Sequence, residues 1–84
     1  MSITRRVVLK QLAIASDAER RETTTKAALA TTLGTDEQTI DSHIEGLAAC
    51  ELAKTYSDGR IRITITGEEL LDLDIEELVI VDSK

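Results

Sequence analysis

The chain has 84 residues and a formal charge of −6, from 16 acidic and 10 basic side chains. That length holds one hydrophobic core and so one domain; a single cysteine excludes a disulfide scaffold, and no apolar run nears the roughly 18 residues of a membrane span. With 42% apolar and 31% charged residues the composition is that of a soluble globular protein, and the acidic balance argues at first against a nucleic-acid binder, whose footprint is usually basic.

The N-terminal MSITRRVVLKQLAIAS is basic and then apolar, like the start of a signal peptide. Lys10 and Gln11 interrupt the apolar stretch and no clean small-residue cleavage site follows, so the expected location is the cytoplasm. Residues 5–16 predict a first helix: Val8, Leu12 and Ala15 fall at i, i+4 and i+7, with Thr4 as N-cap. The polar stretch from Ser16 to Thr24 predicts a loop; the alternative is a first helix that continues to Arg21. Residues 26–33 predict a second, short helix, with Thr25 as N-cap and Leu29 and Leu33 as an i, i+4 core pair. Gly34 follows, where a left-handed residue would end it.

A third helix is expected to run to about Cys50. Thr35 and Gln38 have capping-box spacing, and Asp36 and Glu37 suit the positive end of the helix dipole. Ile40, Ile44 and Leu47 form its apolar stripe, and Gly46 leaves room for close approach by a neighbouring helix or a ligand. The period then changes to two. Arg60 to Thr66 alternates strictly, with Ile61, Ile63 and Ile65 on one face, and Asp58-Gly59 is a hairpin turn pair. The partner strand is about Leu52 to Ser57. A two-residue turn sets Lys54 opposite Ile63 on the apolar face; either Lys54 extends its ammonium to water or the loop is longer. Gly67 is expected to end the strand, and Glu68 to about Asp74 to form a helix with Leu70 and Leu71 inward. Leu78 to Val81 is compatible with helix or strand.

Charge is unevenly divided. Residues 1–66 carry nine acidic and nine basic groups, and the whole −6 comes from residues 67–84. The expected organisation is therefore a domain over residues 1–74 and an acidic, apolar C-terminal segment over 75–84, with Ile75 to Val81 as a candidate dimerisation element. The core must be built from Leu, Ile, Val and Ala, because Phe and Trp are absent and Tyr56 is alone. Few lysines, many acids, threonines and alanines resemble the composition of proteins from salt-loving organisms.

The order helix, helix, glycine turn, helix, hairpin, helix resembles a winged helix-turn-helix domain over about residues 5–72. The segments that carry the likeness are Ala27 to Gly34, Thr35 to Leu47, and Arg62-Ile63-Thr64-Ile65-Thr66-Gly67-Glu68-Glu69-Leu70-Leu71. The last is similar to the I-x-x-T-x-x-G ending of many small prokaryotic, including haloarchaeal-type, transcriptional regulators. The resemblance implies a mainly α fold with a β-hairpin wing (α+β): a three-helix core, a two- or three-stranded sheet and a C-terminal helix or strand. It implies sequence-specific binding of duplex DNA by a homodimer, and neither catalysis nor a cofactor. By position, Gln38, Thr39, Ser42 and His43 would face the major groove, Arg60 and Arg62 on the wing would meet phosphates, and Lys26 would reach a phosphate near a helix N-terminus.

Two departures from the family stand out. The third helix carries Asp36, Glu37, Asp41 and Glu45 and no Lys or Arg, and Glu51 stands where a glycine is common before the strand-leading Leu52. An acidic third helix suits a protein-interaction module without DNA binding, the alternative reading. A weaker third reading is a stand-alone relative of the regulatory winged-helix domains attached to enzymes such as some archaeal riboflavin kinases. Each residue also has a plainer role: His43 as a surface side chain, Cys50 as a small core residue, Arg60 and Arg62 as solubilising groups on an edge hairpin. His43 and Cys50 lack the further ligands of a metal site, and the paired acids Glu68/Glu69 and Glu76/Glu77 are expected to be solvated.

Overall fold

A computed structural model describes residues 3–73. The expected dimerisation element Ile75 to Val81, the ambiguous stretch Leu78 to Val81 and the paired acids Glu76/Glu77 lie outside the described residues.

Each helix starts where a side-chain oxygen takes an otherwise unpaired N–H. Helix α1 (Arg5–Ala15) begins at Thr4, whose Oγ1 accepts from Val7 N at 3.2 Å. Its inward side chains Val8, Leu9 and Leu12 are fully buried. It stops at Ser16, whose buried hydroxyl donates to Leu12 O (2.6 Å) and accepts from Ile63 N (2.9 Å). One serine thus ends a helix and supplies the acceptor for a strand N–H. The loop reading of the next residues holds, and the first helix does not extend to Arg21. Asp17 and Glu22 exchange backbone hydrogen bonds of 3.1 and 3.0 Å, and Arg21 has φ 58°.

Strand β1 (Thr24–Thr25) leads directly into α2 (Lys26–Leu33), where Thr25 Oγ1 accepts from Ala28 N at 3.1 Å. Gly34, at φ 70°, closes α2 as expected, and Thr35 N donates back to Ala30 O at 2.9 Å. Thr35 is therefore engaged in ending α2. The N-cap of α3 (Glu37–Ala49) is Asp36, not Thr35, and its Oδ1 accepts from Thr39 N at 2.8 Å. Ile40, Ile44 and Leu47 are fully buried on one stripe. What approaches Gly46 is the Arg5 side chain of α1: a Cβ on residue 46 would lie 2.6 Å from Arg5 Nε.

The end of α3 repeats the end of α2 without the glycine. Glu51 N donates to Ala48 O and Leu52 N to Leu47 O (2.8 Å), with Glu51 at φ 63°. This is the hydrogen-bond pattern of a Schellman motif. A glycine would adopt this left-handed conformation freely, and Glu51 occupies it without that freedom. Cys50, expected in the core, is exposed. Helical periodicity stops at Ala49, so the chain has turned before the apolar stripe would reach it.

The sheet is antiparallel in the order β1-β3-β2, with β2 at Ala53–Thr55 and β3 at Arg60–Ile63. Lys54 pairs with Arg62 and Ala53 with Ile63. The loop is longer than two residues: Gly59 N donates to Tyr56 O (3.1 Å), Tyr56 N donates to Arg60 O (2.9 Å), and Gly59 takes φ 94°. A type I turn followed by a left-handed glycine gives this three-residue loop, and it moves Lys54 off the apolar face.

The strand ends earlier than its alternation suggests. Thr64 caps α4 (Ile65–Asp72), accepting from Gly67 N at 3.0 Å, so Ile65 leaves the isoleucine face and stands 57% exposed. Gly67 does not end a strand. It lets α4 lie directly on the sheet, since a Cβ there would sit 2.6 Å from Leu52 O. Leu70 and Leu71 pack against the core as expected. Among the described residues the molecule is a mixed α+β domain of four helices and a three-stranded antiparallel sheet around an aliphatic core. No described helix is long and apolar enough to cross a membrane.

Candidate nucleic-acid interface

Helices α2 and α3 pack together across the short Gly34-Thr35-Asp36 connection. With Ile40, Ile44 and Leu47 inward, α3 turns Gln38, Ser42 and Glu45 to solvent. Gln38 and Ser42 are one turn apart in the first half of the helix, and both are exposed side chains that can donate and accept hydrogen bonds.

The other residues expected on this surface have internal duties. Thr39 is half-buried and belongs to the cap: its N–H and its hydroxyl bond to Asp36 and hold that carboxyl below the usual carboxylate range. His43 is turned toward the N-terminal segment, where its Nε2–H donates to Ile3 O at 3.1 Å. The buried Nδ1 has no partner among the described residues. His43 is therefore not on the outward face, because its position on α3 brings the ring against residue 3. Lys26 forms an ion pair with Asp41, linking α2 to α3 and offsetting one acid of the outer face.

The two wing arginines differ. Arg60 is exposed beside the turn, where its Nε donates to Asp58 (2.7 Å) and its guanidinium lies 5.1 Å from the Tyr56 ring centroid. The Arg60 N–H, with the guanidinium beside it, holds the Asp58 carboxyl below its ordinary range. Arg62 is half-buried and donates to Ala18 O at 2.9 Å, which ties β3 to the loop after α1. Glu68, expected to be a solvated acid, holds the same loop by accepting from Ala18 N at 3.3 Å.

Of the seven predicted residues, Gln38 and Ser42 are exposed on α3 and Arg60 is exposed but paired with Asp58, while Lys26, Thr39, His43 and Arg62 are engaged inside the fold. The residues missed are Arg21, Lys54 and Tyr56, which line a depression with Arg62 on the outer side of the sheet. Lys54 and Tyr56 would have been found by pairing the hairpin through a three-residue loop. Arg21 is brought there by the loop after α1, for which the sequence carries no periodic signal. Helix α3 thus carries Glu37, Asp41 and Glu45 and no Lys or Arg, while the sheet carries Lys54, Arg60 and Arg62. Among the described residues no cluster of three or more His, Cys, Asp or Glu side chains could hold a metal ion. Comparison of the chain with protein-family models, with curated proteins and with solved structures finds no match.

Proposed function

We propose that this chain is a winged helix-turn-helix domain that binds duplex DNA in transcriptional regulation. The observation that carries the reading is the α2–α3 pair, closed by a left-handed Gly34, with Gln38 and Ser42 side by side on the outward face of α3. Helix α3 would enter the major groove, where the Gln38 amide can pair with an adenine edge and the Ser42 hydroxyl with a base or phosphate. The β2–β3 hairpin is the wing, and Arg60 is its phosphate contact. One such helix reads one half-site, so two copies acting as a homodimer would double the contact area. Ile75 to Val81 is the candidate element for that pairing.

The acids of α3 are compatible with this role at high salt. At about 1 M salt the Debye length is about 3 Å, so repulsion between these acids and phosphates is strongly screened. Gel retardation of the duplex upstream of the chain's own coding sequence, over a range of salt, is the test. A retarded band supports the reading. No band at any salt, with the circular dichroism of a folded chain, overturns it.

A second reading rests on the same acidic face. Glu37, Asp41 and Glu45 suit a basic protein surface, and such a module would need no DNA. Pull-down of a stoichiometric protein partner, lost on charge reversal at Glu37 and Glu45, would favour it over DNA binding.

A further inference from the structure

The depression on the outer side of the sheet has features that neither the core nor α3 requires. It has a volume of about 520 Å³ and is lined by Arg21, Lys54, Tyr56, Arg62, Ile65 and Thr66, among others. Sites for small molecules fall in the range of about 300–1,000 Å³. Three cationic side chains line it and no carboxylate does. Arg62 spends one nitrogen on Ala18 O and keeps a buried Nε with no partner among the described residues. Arg21 stands at φ 58°, a left-handed conformation that strains any bulky residue. Glu68 accepts from Ala18 N and is not part of the lining.

The first turn of α4 borders the same space. The N–H groups of Ile65 and Thr66 are the first two of that helix and have no intrahelical acceptor, while the Thr64 cap is taken by Gly67 N. Unpaired N–H groups at the positive end of a helix, beside two guanidinium groups, match the three oxygens of a phosphate. The opposite character is present too. Tyr56, the only aromatic residue of the chain, and the exposed Ile65 supply flat apolar wall. Lys54 already lies 5.8 Å from the Tyr56 ring centroid.

We propose that this depression binds a phosphorylated small molecule of about nucleoside-monophosphate size, its phosphate on Arg21, Lys54, Arg62 and the first N–H groups of α4 and its ring against Tyr56. None of the lining residues lies on α2 or α3. The site is thus separate from helix α3 and shares Lys54, Tyr56 and Arg62 with the hairpin assigned above as the wing.

The test is a titration of the full ¹⁵N-labelled chain, in phosphate-free buffer, with adenosine 5′-monophosphate, adenosine, inorganic phosphate and a DNA duplex in separate series. The monophosphate should give saturable shifts at the Ile65, Thr66 and Arg62 amides. Inorganic phosphate should move Ile65 and Thr66 more weakly, and adenosine should scarcely move them. Arg21→Gly, which also relieves the backbone, and Lys54→Ala should each weaken the monophosphate by about tenfold, the size of one lost charge-assisted contact. Both side chains are exposed, so the fold should survive, and an unchanged spectrum elsewhere checks it. Absence of saturable shifts at Ile65 and Thr66, or unchanged affinity in both variants, would overturn the proposal. Shifts there with duplex but not with the monophosphate would also overturn it, by assigning the face to nucleic acid. Loss of monophosphate binding with duplex binding intact sinks this site alone; the reverse sinks only the DNA reading.

Discussion

Glu51 shows how one side chain can be wrong for its backbone and still be tolerated. Its φ of 63° closes α3 with the same hydrogen bonds that Gly34 makes after α2. A residue with a Cβ is strained in that region and glycine is not. Glu51→Gly should therefore raise stability by about 0.5–1 kcal/mol in urea unfolding, although glycine has the more flexible unfolded chain. Destabilisation would mean that the Glu51 side chain makes a favourable contact that outweighs the strain. Asp36 poses a different question at the same scale. Two bonds from Thr39 lower its pKa from 3.8 in the folded chain. A lowered carboxylate pKa contributes stability above the unfolded value, and that contribution fades as pH falls through the folded value. The difference in thermal midpoint between wild type and Asp36→Ala should thus be constant near neutrality and narrow below about pH 3.8. A difference that stays constant into acid would contradict the charged cap.

At the scale of elements, the close contact between α4 and the sheet depends on Gly67. A methyl group there would meet Leu52 O and the Ile63 side chain. Gly67→Ala should cost about 1–3 kcal/mol by overpacking, measured by chemical unfolding, despite the better helix propensity of alanine. The sequence pattern could not reveal this, because Ile61, Ile63 and Ile65 alternate as though one strand continued. Thr64 interrupts it by capping Gly67 N and bonding to Glu51 O, a tertiary contact that has no local signature. By contrast α2 is legible in the sequence, since Thr25 and Gly34 bracket its residues with complementary end signals. The hairpin is legible as an element but not in register, because Asp58-Gly59 fits either a two- or a three-residue loop. That one residue decides whether Lys54 faces the core or the outer depression. The candidate interface follows the same rule. Gln38 and Ser42 follow from helical period alone, whereas the internal engagement of His43 and Arg62 depends on residues 40 and 44 positions away in the chain.

For the whole molecule, the −6 that weighed against nucleic acid is largely a property of the last 18 residues. Within the balanced remainder, α3 carries Glu37, Asp41 and Glu45 and no Lys or Arg, while Lys54, Arg60 and Arg62 stand on the sheet. DNA affinity from such a surface should depend on few phosphate contacts. Arg60→Ala should then reduce the slope of log K against log salt by about one unit while leaving sequence preference unchanged; an unchanged slope would remove Arg60 from the interface. The proposed reading role of α3 is tested by fluorescence anisotropy of a duplex selected from a random pool by the full chain. Replacing Gln38 and Ser42 together by alanine should abolish the preference for the selected duplex over a scrambled one, with the fold intact by circular dichroism. Preference retained in that variant would contradict the assignment of α3 as the reading helix.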